Sequence, residues 1–258
     1  MHREMMFAAL LIVTGGVQTQ AQTQPSPPTG QLVISGQTGT SERPVRSGGV
    51  EWLHTPARSP VTIDVGAFTG ATTDGWFSYG RFGGLRRRGA SVIGASVDAG
   101  AGREGSRSFA YTRVRASATV PLRGPEVQAD SDVDHVRIAD RVVTGVRVGL
   151  VIQMSARMSA RVSGHVYAAG GEVDPGGSIR ADYDLGRVRV IGGLFASRRS
   201  LQAPPLVDVT PALYATRTWF GGVDVGGGGP RVTVVIDVSR QARGHVTTVL
   251  AGVKLPLR

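Results

Sequence analysis

From about residue 50 onward the chain alternates between apolar and polar residues with a period of two, and this restricts its fold most. In residues 144–154 the even positions hold Thr, Val, Leu, Ile or Met, and the odd positions hold Gly, Arg, Val or Gln. Successive side chains of a β-strand point to opposite faces, so the pattern predicts strands with one apolar and one polar face. The alternation recurs in residues 61–67, 113–122, 157–168, 179–185, 231–239 and 249–257. After the N-terminal leader no segment shows a helical period, and the chain is predicted to be all-β.

The alternating runs predict about twelve strands, joined by short turns that contain Gly, Pro, Asp and Ser. Their expected positions are residues 49–54, 61–69, 76–85, 91–99, 109–120, 142–154, 157–168, 178–187, 188–196, 211–226, 231–239 and 245–257.

The N-terminus has the three parts of a secretory signal peptide. Arg3 precedes an apolar run over residues 5–13, and Thr19-Gln20-Ala21 resembles a small-x-small cleavage site. The run is about half of the ~20 residues that a membrane-spanning helix needs. We therefore expect residues 1–21 to be a cleaved signal peptide, residues 22–48 a flexible lead-in rich in Gln, Thr, Ser, Pro and Gly, and residues 49–258 the folded domain.

Composition excludes several classes of function. The chain has no cysteine, which excludes disulfides, thiolate nucleophiles and cysteine-ligated metals. Its formal net charge is +10, and all but one of its basic residues, Lys254, are arginines. A basic chain suggests nucleic acid as a partner, but an exported protein seldom meets DNA or RNA, so we expect no nucleic-acid binding.

Two all-β architectures fit the alternation. A soluble β-sandwich turns its apolar faces inward, whereas a transmembrane barrel turns them outward to lipid and keeps a polar lumen. Strands of ten or more residues, a polar face rich in Gly, Ser and Arg, and an export signal favour the barrel. The prediction is an antiparallel transmembrane meander β-barrel of about 12 strands, with a 10-strand barrel or a soluble sandwich as alternatives.

In this pattern, residues 49–258 and the leader resemble the bacterial outer-membrane β-barrel proteins, porin-like in the broad sense. The resemblance implies residence in the outer membrane, contact with its lipid and lipopolysaccharide, and insertion by the barrel assembly machinery. Such proteins usually end in an aromatic residue, whereas this chain ends Lys254-Leu255-Pro256-Leu257-Arg258.

Such a barrel keeps both termini in the periplasm, with short periplasmic turns and longer external loops. With twelve strands, residues 121–141 and 197–210 are predicted external loops, and Arg86-Arg87-Arg88 also falls in an external loop. Aromatic residues near strand ends are candidates for interfacial girdles; they are Trp52, Trp76, Phe77, Phe109, Tyr167, Tyr214, Trp219 and Phe220.

Signs of catalysis or metal binding are weak. His165 shares a polar face with Ser159 and Ser163, but a histidine among serines on a barrel wall is more often a hydrogen-bonded wall residue. Residues 130–134, Asp-Ser-Asp-Val-Asp, begin like a calcium loop, yet His135 and Arg141 occupy the positions that need Gly and Glu. We predict no enzymatic activity, no metal and no cofactor, and interpret residues 130–134 as an acidic external loop.

Arginines on the polar faces carry the functional prediction. The candidates for a lumen that favours anions are Arg113, Arg115, Arg147, Arg157, Arg161, Arg180 and Arg231. Those on predicted strands five to seven have no facing acid in those strands, and such an excess would attract anions. The predicted function is a porin-like passive channel for small polar or anionic solutes. The alternative is a non-conducting envelope barrel that acts as an anchor, an assembly partner or an export component for a surface polymer.

Overall fold

The computed structural model describes residues 30–40, 46–56, 59–123, 126–197, 216–226, 229–241 and 244–257, and this part of the chain forms fourteen β-strands. They are β1 (Gly30–Thr40), β2 (Arg46–His54), β3 (Val61–Thr72), β4 (Gly75–Arg88), β5 (Ser91–Glu104), β6 (Arg107–Arg123), β7 (Val127–Ile138), β8 (Arg141–Gln153), β9 (Met158–Ala169), β10 (Glu172–Asp184), β11 (Val188–Ser197), β12 (Thr216–Gly226), β13 (Arg231–Gln241) and β14 (Gly244–Leu257). Within these residues no helix is long and apolar enough to cross a membrane.

The strands close into a single antiparallel barrel. Each strand pairs with its neighbours in sequence, and β1 pairs with β14 from Gly30↔Leu257 to Thr40↔Thr247. Following the paired residues once around the barrel gives a shear of 14 residues. With strands about 4.8 Å apart, this shear corresponds to a tilt of about 35° and a backbone radius of about 12–13 Å.

The two faces of the wall differ as the sequence alternation predicts. Large apolar side chains point outward and are exposed, as Val148 (59%), Phe82 (68%) and Trp219 (62%) show. Inward side chains are mostly buried or half-buried, down to 0% exposure for Asp174 and 1% for Asp98. The apolar face therefore covers the outside of the barrel, and the soluble sandwich, which needs an apolar interior, is wrong.

We call the end where β1 begins and β14 ends the terminal rim, and the opposite end the distal rim. Between the rims, the outward positions of the described strands carry no Asp, Glu, Lys or Arg. Outward arginines flank this apolar band on both sides. They are Arg86, Arg88 and Arg123 at the terminal rim and Arg46, Arg103, Arg137 and Arg217 at the distal rim, all exposed.

The prediction of twelve strands, and the 10-strand alternative, are wrong because two strands were missed. β1 lies inside the predicted lead-in of residues 22–48, so the barrel begins at Gly30 and not at residue 49. β7 lies inside the predicted external loop 121–141. Its inward side carries Asp130, Asp132 and Asp134. Its outward side mixes two valines and an alanine with Ser131, His135 and Arg137, so the apolar face is interrupted.

The missed strands also change the side on which some connections lie. Arg86, Arg87 and Arg88 end β4 at the terminal rim, so they lie on the same side as the two ends of the barrel. The prediction that they form an external loop, which puts them on the opposite side from the termini, is therefore wrong. From β8 onward the predicted sides are confirmed. The connection between Ser197 and Thr216 leaves from the distal rim, and residues 198–215 lie outside the described residues.

Candidate functional site

The inward face of the barrel carries acids and bases in nearly equal number, with the acids slightly in excess. Away from the rims the acids are Glu51, Asp64, Asp98, Asp130, Asp132, Asp134, Asp174, Asp182, Asp184, Asp224 and Asp237. The bases are Arg81, Arg113, Arg115, Arg147, Arg161, Arg180, Arg189, Arg231 and Lys254. The described part of the lumen therefore does not hold the chain's excess positive charge, and outward arginines at the rims hold part of it.

Six of the seven arginines predicted to line the lumen do so. Arg113, Arg115, Arg147, Arg161, Arg180 and Arg231 occupy inward positions of their strands. Arg157 lies in the turn between β8 and β9 and is exposed. The strands that carry these arginines, β6, β8 and β9, hold no inward acid, as expected. The expected excess of positive charge is nevertheless reduced, because β7 lies between β6 and β8 and turns three carboxylates toward the arginines.

Three of these arginines and two aspartates form a continuous chain of ion pairs, the β6–β9 ladder. Asp132 lies 3.5 Å from Arg115 and accepts a 2.7 Å hydrogen bond from Nε of Arg147. Asp130 lies 3.5 Å from Arg147 and 3.8 Å from Arg161. The ladder has one more cation than anion, and its arginine side chains are 22–26% exposed. It therefore keeps one positive charge that is partly open to the lumen.

Other arginines of the central wall bind a carboxylate through two hydrogen bonds. Arg81 binds Asp98 through two hydrogen bonds of 2.8 and 3.1 Å and also binds Glu51 at 2.9 Å. Because Glu51 is on β2, Arg81 on β4 and Asp98 on β5, this group ties three strands together and reaches across β3. Two-pronged Arg–carboxylate contacts are among the strongest hydrogen bonds in proteins. Such pairs brace the wall.

Arg113 and Arg180 form the same kind of two-pronged pair. Arg113 donates from Nε to Asp134 at 2.7 Å and from a second nitrogen to the other carboxylate oxygen. Arg180 binds Asp182 with bonds of 2.9 and 2.6 Å. These two predicted selectivity candidates therefore have their donors aimed along the wall.

The candidate catalytic residues around His165 and the candidate metal ligands of residues 130–134 have other partners in the structure. Ser163 is hydrogen-bonded to Ser178 at 2.7 Å, and the His165 ring stacks on Phe195 with centroids 4.7 Å apart. The three carboxylates of residues 130–134 point into the lumen toward arginines and do not form an external loop. Among the described residues no group of His, Asp or Glu could hold a metal ion.

Sequence reasoning missed a regular pairing of inward glycines with inward aromatic rings. At each pair the glycine is the direct cross-strand partner of the ring, and a methyl group on it would lie under 3.0 Å from ring atoms. The pairs are Gly49–Phe68, Gly70–Phe77, Gly102–Phe109, Gly145–Tyr167, Gly176–His165 and Gly193–Phe220. The glycines let the rings lie flat against the wall. An inward Gly opposite an inward aromatic residue is the signal that would have revealed them.

The predicted aromatic girdles are only partly present. Trp52, Trp76 and Trp219 point outward and are exposed. Phe77, Phe109, Tyr167 and Phe220 point inward instead, and Tyr214 lies outside the described residues. Phe77 packs with Tyr79, Tyr111, Val136 and Ile138 in a buried cluster on β4, β6 and β7.

Comparison with solved structures agrees with this architecture. The monoaromatic hydrocarbon channel CymD matches with a TM-score of 0.66 and 10% identity, over 90% of this chain and 89% of that one. The toluene transporter TodX of Pseudomonas putida matches with a TM-score of 0.60 and 10% identity, over 89% and 91% of the two chains. A bacterial polysaccharide outer membrane secretin matches with a TM-score of 0.54 and 10% identity, over 90% and 99%. The fold is that of bacterial outer-membrane β-barrels.

No family model matches the sequence, and no curated protein does. These three structures are two channels for aromatic hydrocarbons and a polysaccharide secretin. The similarity is one of architecture, because an identity of about 10% carries over no individual residue. Within this fold, 14 strands lie between the 8 whose side chains fill the interior and the 16–18 of porins with an aqueous channel.

Proposed function

We propose that the chain is a porin-like passive channel of the bacterial outer membrane for small polar or anionic solutes. The observation that carries the proposal is the closed 14-strand barrel with an uncharged apolar outer band and an inner wall lined with ion pairs. Opposite walls of the barrel are about 25 Å apart. The ion pairs of the inner wall join side chains of the same or nearby strands and do not cross the lumen.

The proposal includes export and location. Residues 1–21 act as a cleaved signal peptide, and the barrel assembly machinery inserts the mature chain into the outer membrane. Outward arginines at both rims lie where lipid phosphates begin, and the arginine fork suits phosphate oxygens. Outer-membrane lipid and lipopolysaccharide are therefore the proposed partners of the rims, and no enzymatic activity is assigned.

We assign the anion preference to the β6–β9 ladder and not to all the lumenal arginines. Arg113 and Arg180 have tight carboxylate partners, which cancel their charge in the lumen. The ladder of Arg115, Arg147 and Arg161 has only Asp130 and Asp132 to balance it. This single unbalanced charge attracts anions locally at the ladder, although acids slightly outnumber bases over the described lumen as a whole, so the predicted preference for anions is weak.

Planar-bilayer recording tests the channel. The mature chain is refolded in detergent, checked for heat-modifiable migration on a denaturing gel, and added to a lipid bilayer under a KCl gradient. We expect stepwise current increases and a reversal potential on the anion-selective side. Heat-modifiable protein that inserts into the bilayer and carries no current would overturn the proposal.

One observation favours a non-conducting barrel as the second candidate. Inward side chains of the distal half are nearly inaccessible, with 2% exposure for Phe77, 5% for Tyr79 and 4% for Tyr111. A lumen packed in this way would suit an anchor, an assembly partner or an export component for a surface polymer. Absence of current from correctly inserted protein is the result that this candidate predicts.

A further inference from the structure

Near the terminal rim the inner wall of β10 to β14 carries a row of charged side chains. In strand order the row reads Asp184, Arg189, Asp224, Arg231 and Lys254. Direct cross-strand pairing joins Asp184 to Arg189, Arg189 to Asp224, and Arg231 to Lys254. The row thus ends in two adjacent cations that face the lumen.

Two like charges directly opposite each other on one face of a sheet destabilise it. On its other side Lys254 faces Val33 of β1, which offers no carboxylate. Glu51, the next acid beyond β1, is already bound by Arg81 at 2.9 Å. Within the described residues Lys254, the chain's single lysine, therefore forms no ion pair.

The arginines of the row are also incompletely satisfied. Arg231 reaches Asp224 only at 3.8 Å, and Asp224 accepts a further bond from Thr233 at 3.3 Å. Nε of Arg231 is buried without a hydrogen-bond partner. Arg189 lies 3.8 Å from Asp184. In the braced pairs of the central wall, by contrast, the arginine–carboxylate distances are 2.6–3.1 Å.

We infer that Arg189, Arg231 and Lys254, the cation trio, form a binding site for a small oxyanion such as phosphate or a carboxylate at the terminal mouth of the lumen. An oxyanion supplies acceptors for the free donors of Arg231 and Lys254 and removes the repulsion between them. The site lies about half a turn around the barrel from β7, on the opposite wall to the β6–β9 ladder. It deepens the proposed function, on which it rests for the route by which solute arrives.

The carboxylate of Asp224 gives the site an internal competitor, and this provides a test in both directions. Removing a cation by Lys254→Met or Arg231→Gln should weaken binding, whereas removing the competitor by Asp224→Asn should strengthen it. A variant that is merely damaged does not bind more tightly. Arg137→Gln, an outward change at the distal rim that removes the same charge as Arg231→Gln, is the matched control.

The experiment combines two readouts on detergent-refolded, heat-modifiable protein, with inorganic phosphate as the probe. Calorimetry measures binding without requiring conduction, and bilayer recording measures block of the chloride current by phosphate added from each side. We expect Lys254→Met to raise the half-saturating and half-blocking phosphate concentrations about tenfold, and Asp224→Asn to lower them several-fold. Arg137→Gln should change neither.

The outcomes separate the inference from the channel. If Lys254→Met weakens phosphate binding and the protein carries no current, the site is supported and the channel is overturned. A protein that conducts but neither binds phosphate nor is blocked by it would overturn the site and leave the channel. Binding that is equal in wild type, Lys254→Met and Arg231→Gln would also overturn the site.

Discussion

The β6–β9 ladder allows selectivity to be shifted in both directions with two changes on adjacent residues of one network. Arg147→Gln removes one cation and leaves the ladder neutral, whereas Asp132→Asn removes one anion and leaves it with two positive charges. Arg147 donates to Asp132 at 2.7 Å, so both variants break the same contact. Any effect of the broken contact itself is shared by the two variants, and only the sign of the charge differs.

The size of the effect follows from the barrel radius. An ion on the axis lies roughly 8 Å from a guanidinium on the wall, where one charge contributes about 0.5 kcal/mol in water. Screening reduces this to about 0.2 kcal/mol in 0.1 M salt and about 0.4 kcal/mol in 0.01 M salt. Because anion and cation respond oppositely, the anion-to-cation permeability ratio should change about twofold per charge at 0.1 M and about fourfold at 0.01 M.

Reversal potentials in asymmetric KCl, at both salt levels, measure this ratio. We expect Arg147→Gln to lower the preference for anions and Asp132→Asn to raise it, with the larger change at low salt. Arg137→Gln, which points outward, should leave the ratio unchanged. The electrostatic account would be refuted if the permeability ratio shifted in the same direction for both ladder variants, or if its shift did not grow as the salt concentration is reduced.

Three further predictions concern the wall itself. Gly145→Ala should push the ring of Tyr167 off the wall at a cost of about 1–3 kcal/mol, and should lower both the midpoint temperature of heat modification and the conductance. Gly164→Ala, whose methyl group meets nothing closer than 4.0 Å, should be neutral; equal midpoint temperatures for the two variants would contradict the packing argument. Val148→Arg, in the middle of the outward band, should cost about 2–4 kcal/mol of folding stability in lipid, measured by refolding titrations into vesicles against Val148→Leu; equal stability would show that this face does not meet lipid. Because the chain lacks cysteine, Val133→Cys and Asp134→Cys can be compared with a membrane-impermeant thiol reagent in the inserted barrel. Only Asp134→Cys, which faces the lumen, should react, and equal labelling of the two would indicate that β7 is an external loop.

The alternation predicted the architecture where the outward face is apolar, as in β8, β9 and β13. In these strands the extent is confirmed to within two residues, and the outward side is confirmed because consecutive residues such as Val146, Val148 and Leu150 are all exposed. The hydrophobic period of a barrel strand depends only on its outward residues. It therefore remains visible even when the inward residues are glycine, serine or arginine.

β7 shows where that reasoning fails. Its outward residues include Ala129, Ser131 and His135, which give little hydrophobic signal, and its inward aspartates resemble a polar loop or a metal site. The partner that explains the aspartates lies on other strands. No count of charges along a single strand could show that Arg147 and Asp132 neutralise each other.

β1 was missed for a related reason. Its outward positions include Leu32 and Ile34, but Gly36 and Thr38 interrupt the apolar run. Its strand structure depends on pairing with β2 and β14, which are adjacent in space and, for β14, remote in sequence. Missing one strand before Arg86 then inverted the predicted side of that segment.

The pairing of β1 with β14 has a consequence for how the protein is made. Every other strand pair joins neighbours in sequence, so thirteen of the ladders grow from local hairpins, but the last one joins Gly30 to Leu257. Contacts so far apart in sequence form slowly. Until this seam closes, both edge strands expose unpaired backbone groups that invite aggregation. The folding chain must therefore be kept from aggregating until its last strand pairs with its first, and the speed of seam closure sets how long that protection is needed.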